Sequence, residues 1–119
     1  MKLNKDFLKY QAKTTPHPLS IEIKNAFGSH IVDSDNKKYL DFIAGVSVCN
    51  LGHSNPVVIK AIEKQIKKYM HVMVYGEFAL EPSVKLSKEI VSKISKNLEV
   101  VFLTNSGTEA VEGSLKLAK

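Results

Sequence analysis

Three consecutive residues, Ser106, Gly107 and Thr108, are of the types that hold an anion. Two hydroxyls donate hydrogen bonds, and the glycine between them lets an anion approach the backbone with no Cβ in the way. They open a run of helix formers, Thr108 to Lys119, with Ala110, Val111, Leu115 and Ala118 on one side. The first turn of such a helix offers unpaired N–H groups and the positive end of the helix dipole. A phosphate suits this corner. The same residues also suit a plain N-cap with no ligand, and spacing alone leaves both readings open.

The corner needs elements on both sides to hold it. Glu99 to Leu103 is a short apolar run rich in β-branched and aromatic residues, predicted as a buried strand, with Thr104 to Gly107 as the turn after it. Farther upstream, Pro56 to Met70 places Val58, Ile62, Ile66 and Tyr69 at helical spacing with lysines opposite, and Asn55 stands ready to cap it. Glu81-Pro82-Ser83 starts another helix, carrying Val84, Leu86, Ile90, Val91 and Ile94 to about Lys96. Between these helices His71 to Leu80 is apolar and aromatic, which marks a pocket wall, an interface or a buried loop.

At the start of the chain Asn4 to Lys13 is a short amphipathic stretch, ended by Pro16 and Pro18. Leu19 to Val32 reads as an extended segment and strand broken at Gly28. Asp33 to Asn36 is a turn, and Lys37 to Ile43 returns as a second strand, so a small antiparallel hairpin is expected.

Composition narrows the function classes. A chain of 119 residues with 44% apolar content is long and apolar enough for one core. It has no bilayer-length apolar run and no signal-peptide core, and the single Cys49 fits a reducing compartment, so a soluble cytoplasmic protein is expected. The net charge of +5 comes from lysines alone, since the chain has no Arg. These lysines sit at helix-surface spacing with Glu63, Glu81 and Glu89 interspersed, the pattern of solvated faces. Without Arg forks or a basic run interleaved with aromatics, nucleic-acid binding is set aside. No metal site is expected. The Asp33, Asp35, Asn36 cluster lacks the later Glu and central Gly of a calcium loop, and His17 has no second ligand nearby. His53 reads mainly as a packed, hydrogen-bonded residue.

Asn105 to Glu112 reads NSGTEAVE and leads into Leu115-Lys116-Leu117-Ala118. Position by position it resembles the phosphate-binding segment of the class III (ω-amino) aminotransferases, fold type I enzymes that use pyridoxal 5′-phosphate. Ala44 to Val48 is similar to that family's Ala-Gly-Ile-Ala-Val stretch, and Gly52 to Pro56 to its Gly-His-x-His-Pro, with Asn55 in place of the second His. The turn and strand from Asp33 to Asp41 resemble its Asp-x-Asp-Gly and Tyr-Leu-Asp, with Asn36 where Gly is usual; Asn accepts the left-handed conformation. The likeness runs from about Pro16 onward. Gly113, where the family commonly has Ala, weakens the helix by about 1 kcal/mol.

The resemblance implies an α/β protein with the fold type I architecture of pyridoxal-phosphate enzymes. Residues 1–97 would form the N-terminal arm and small subdomain with linking helices, and residues 98–119 the first strand–helix unit of the large domain. It implies that Ser106, Gly107 and Thr108 bind the cofactor phosphate, and that Tyr75 and Gly76 lie on the substrate side, near a dimer interface. The reaction implied is transamination between an acetylornithine, ornithine or 4-aminobutyrate type of donor and a 2-oxo acid, in a homodimer. The cofactor ring would be the electron sink and a Schiff-base lysine would move the proton. In the family that lysine, the ring-nitrogen Asp and the stacking aromatic all follow the phosphate corner in segments later than Lys119, and the Arg-free span cannot hold the substrate-carboxylate Arg. No catalytic residue is therefore assigned in this span, which is expected to be the N-terminal part of a longer enzyme and not to fold stably alone. Fold does not settle reaction. An aminomutase or racemase, and a non-catalytic phosphate-binding or interaction module, stand as alternatives.

Overall fold

The computed structural model describes residues 2–74 and 76–119. They form two compact units, one extending to Met70 and the other from His71 to Lys119.

In the first unit β1 (Ile23–Phe27), β2 (His30–Asp33) and β3 (Lys38–Leu40) form an antiparallel meander in the order β1-β2-β3. Phe27 pairs with His30 across the two-residue turn Gly28-Ser29, and His30 pairs in turn with Leu40 on β3. The break expected at Gly28 is thus a turn, with φ of 52° at the glycine. It converts the single expected hairpin into two hairpins sharing β2. As the central strand, β2 holds Val32, the only buried apolar residue among the described residues.

The third strand is shorter than the Lys37 to Ile43 expected. Asp41 stops it: Oδ1 accepts the N–H groups of Ile43 at 2.9 Å and Ala44 at 3.0 Å, turning the chain. The turn α2 (Ala44–Ser47) follows, with φ of 49°, 62°, 61° and 62° along its four residues. Left-handed backbone is rare for a β-branched residue such as Val46. Farther on, Gly28 and His53 exchange backbone hydrogen bonds of 2.9 and 2.7 Å. There the two backbones touch at Gly52, where an added Cβ would stand 3.1 Å from the Gly28 oxygen and where φ is 84°.

Helix α1 (Lys2–Tyr10) ends earlier than Lys13 and is tied to the segment before β1. The Asn4 N–H donates to Glu22 Oε1 and its Nδ2 to the Ser20 carbonyl, both at 2.9 Å. Helix α3 (Pro56–Ile66) begins as expected, with Asn55 Oδ1 accepting from Val57 N–H at 2.9 Å and Val58 N–H at 3.4 Å. It stops at Ile66, before Met70, so Tyr69 falls outside the helical stripe.

The second unit holds α4 (Glu81–Lys93) and α5 (Gly107–Leu117). The expected extension of α4 to Lys96 fails because Ile94, with ψ of −177°, leaves the helix. The buried strand expected over Glu99 to Leu103 is not formed. The segment has no strand structure, and Val100 and Phe102 are 88% and 85% exposed. A strand forms by pairing its backbone groups with a neighbour, and within this unit the described residues supply none. Among the described residues, no helix packs on another element within its own unit, so Val58, Ile62 and Ile66 of α3 and Val111 and Leu115 of α5 stay exposed.

Candidate functional site

Two constellations of polar side chains organise turns, and they differ in what they leave open. The first, around β3, is closed. Asp33 Oδ1 accepts the N–H groups of Asp35 and Lys37, each at 2.9 Å, and Oδ2 accepts the Tyr39 hydroxyl at 2.8 Å. These bonds, the Tyr39 hydroxyl foremost, hold the Asp33 carboxyl below its ordinary pKa, and the same contact raises that of Tyr39. Nearby, Asp41 Oδ2 lies 2.7 Å from His53 Nε2, with both side chains largely buried. That contact first, then the N–H groups of Ala44 and Ile43, lowers the Asp41 pKa. His53 is thus the hydrogen-bonded structural residue expected. Asp33 has every carboxylate oxygen engaged within the protein, and Asp41 likewise.

The second constellation is the corner at Ser106, and it is open. Ser106 is the N-cap of α5 with extended backbone, φ −149° and ψ 159°. Its Oγ accepts the Glu109 N–H at 3.2 Å, while Glu109 Oε2 reaches back to accept the Asn105 N–H at 2.8 Å. The pair is related to a capping box but displaced on one side, since the Glu109 carboxylate takes the N–H of the residue before the cap and not that of the cap itself. Thr104 Oγ1 donates to the Ser106 carbonyl at 3.1 Å and fixes the approach to the turn. The N–H groups of Gly107 and Thr108, first in the helix, have no acceptor among the described residues. Nothing lies within 4 Å of where a Cβ on Gly107 would stand.

The N-cap reading of Ser106 holds, and it does not use up the hydroxyl's donor. A hydroxyl that accepts one hydrogen bond keeps its own proton to donate, so capping α5 leaves Ser106 Oγ–H free for a ligand. With the Thr108 hydroxyl and two backbone N–H groups beside it, the donor set fits the oxygens of a phosphate. Of the other candidates, Tyr75 lies outside the described residues. Gly76 lies in the loop before α4 with φ of 77° and open space around it, and no hydrogen bond among the described residues joins it to the corner. The bond from the Asn105 N–H to Glu109 was not anticipated from sequence. The spacing of Ser106 and Glu109, three apart, was the available signal.

The model of the family described as aminotransferase class-III matches residues 10–119. The chain is 47% identical over 92 residues to an acetylornithine aminotransferase of Clostridium acetobutylicum, covering 77% of this chain and 23% of that protein. Among solved structures, the acetylornithine aminotransferase of Elizabethkingia anophelis superposes with a TM-score of 0.82 at 30% identity, over 98% of this chain and 28% of that one. The ω-transaminase of Pseudomonas jessenii, solved in complex with PMP, does so with a TM-score of 0.83 at 26% identity, over 96% of this chain and 26% of that one. The chain spans about a quarter of the length of the curated relatives it matches. The fold shared with these proteins is that of the fold type I aminotransferases, and the matched span takes in the open corner at Ser106. With nearly every residue inside the matched region, this chain belongs to the class III aminotransferase family.

Proposed function

We propose that the chain is the N-terminal part of a pyridoxal-phosphate-dependent aminotransferase, with Ser106, Gly107 and Thr108 holding the cofactor phosphate. The observation that carries this is the open corner: the Gly107 and Thr108 N–H groups at the start of α5 have no acceptor among the described residues, and the hydroxyl-bearing Ser106 and Thr108 flank Gly107 in the chain. When bound, the cofactor supplies an electron sink for exchange of an amino group. The part of this chain is to grip and orient it by its phosphate. Residues 98–119 then open the large domain and residues 1–97 form the arm and small subdomain. The unpaired apolar segment Glu99 to Leu103 supports this division, since its side chains suit the interior of a larger sheet.

The donor is an amino acid or ω-amine of the acetylornithine, ornithine or 4-aminobutyrate type, and the acceptor a 2-oxo acid. The names of the relatives favour the first of these donors. The enzyme acts as a homodimer in the cytoplasm, with Tyr75 and Gly76 on the substrate side. No helix among the described residues is long and apolar enough to cross a membrane.

The test is calorimetric titration of the protein, produced with whatever follows Lys119 in its native reading frame. Pyridoxamine 5′-phosphate and pyridoxamine are compared, because neither carries an aldehyde that would label the many lysines. The phosphate form is expected to bind more tightly, and Ser106→Ala to weaken it about tenfold or more, the worth of a hydrogen bond to a charged group. Equal binding of the two forms would remove the phosphate assignment.

A further inference from the structure

We infer that Glu109 is a positioning residue for the phosphate corner, acting through the reach of its side chain and not through its charge; the inference rests on the phosphate assignment above. Three observations lead to it. Glu109 closes the turn from both sides, donating its N–H to Ser106 Oγ at 3.2 Å and accepting the Asn105 N–H on Oε2 at 2.8 Å. The Asn105 N–H is thereby occupied, while the N–H groups of Ser106, Gly107 and Thr108 have no acceptor among the described residues. The Ser106 hydroxyl, with one lone pair taken by the Glu109 N–H, has its rotation restricted before any ligand arrives.

A carboxylate in the first helical turn would ordinarily be read as support for the dipole. Beside a phosphate that reading conflicts with electrostatics, because two anions on one helix end repel. The back-bond to Asn105 resolves the conflict. It draws the carboxylate toward the residue preceding the cap and gives it a donor of its own. Its contribution is then geometric, fixing the turn so that the donors need not be ordered when the ligand binds.

Three substitutions separate reach from charge, using the same titrations with pyridoxamine 5′-phosphate and pyridoxamine on the protein with its native continuation. Glu109→Gln keeps the length and an acceptor oxygen but loses the charge. Glu109→Asp keeps the charge and the favourable acidic first turn but is too short to reach the Asn105 N–H. Glu109→Ala loses both. Expected are roughly fivefold weaker binding of the phosphate form for the Asp and Ala variants, the size of a lost cap, binding within twofold of the parent or tighter for the Gln variant, and no change with pyridoxamine. Circular dichroism at 222 nm on the Asp variant, whose helix should persist, separates positioning from loss of α5. Unchanged phosphate binding in the Asp and Ala variants overturns the inference and leaves the phosphate corner standing. Weakening in the Gln variant equal to that in the Asp variant overturns it in favour of charge. A parent protein that does not distinguish the two ligands removes the phosphate corner, and Glu109's role with it.

Discussion

The turn at Asp33 and the corner at Ser106 are built alike and end differently. In each, one side-chain oxygen accepts from the backbone a few residues ahead, two N–H groups at Asp33 and one at Ser106, and in each a second side chain completes the network, Tyr39 in one and Glu109 in the other. Asp33 is buried, 8% exposed, and both its oxygens are used up by the protein. The Ser106 corner lies on the surface, with donors to spare. Side-chain capping is thus no guide to function. The balance of donors and acceptors is what differs: a closed network spends its polar groups on structure, and the corner keeps unpaired donors, the feature on which the proposed phosphate site rests.

Removing the keystone of the closed network has the largest expected effect. Asp33→Ala leaves the Asp35 and Lys37 N–H groups and the Tyr39 hydroxyl without their acceptor at the edge of the sheet's one buried apolar residue. Amide exchange in β1 to β3 should lose its protection, while the preference for pyridoxamine 5′-phosphate over pyridoxamine changes less than twofold. A variant that keeps protected strand amides would break the comparison, since the carboxylate would then be no more essential than an exposed cap.

Acid should distinguish the two networks more gently. Asp33 and Asp41 have folded pKa values below their ordinary 3.8. Each therefore adds stability that is present above the unfolded pKa and lost as pH falls through the depressed folded value. For Tyr39, whose pKa is raised above 10.0, the sign is opposite: its contribution holds below the unfolded value and is lost as pH rises through the folded one. The denaturation midpoint of the sheet, followed by tyrosine fluorescence, should fall at both extremes. Asp41→Asn should flatten the acid limb, and an unaltered limb would show that the His53 contact does not distinguish folded from unfolded chain.

What could be read from sequence follows the same division between local and non-local causes. The cap at Asn55, the turn at Asp33 to Asn36 and the cap at Ser106 are written in residues within four positions of one another, and each stands where it was expected. The segment Glu99 to Leu103 has the composition of a strand, yet strand structure belongs to a pair of segments, and no residue described within its unit pairs with it. Asp41 was legible only as a letter in a motif. Its bond to His53 spans twelve positions, and its control over the left-handed turn at Ala44 depends on where β3 ends. Glu109 was legible in principle, three residues from Ser106, but an acidic residue at a helix start suggests the dipole first.

The smallest effect tests whether local turn chemistry is as self-sufficient as this division implies. Asn36 has φ of 65°, and its Oδ1 accepts the Lys24 Nζ at 2.7 Å. Asn36→Ala should cost about 1 kcal/mol, because a Cβ without a local polar partner disfavours left-handed backbone. Asn36→Gly should fall within about 0.5 kcal/mol of the parent in urea unfolding. Glycine takes up this φ freely, but that gain is offset by the greater entropy of the unfolded chain and by loss of an exposed contact. If the glycine variant were instead destabilised as much as the alanine one, the Lys24 bond to the neighbouring strand would be holding the turn. The closed network would then be non-local at the very position where its sequence looks most local.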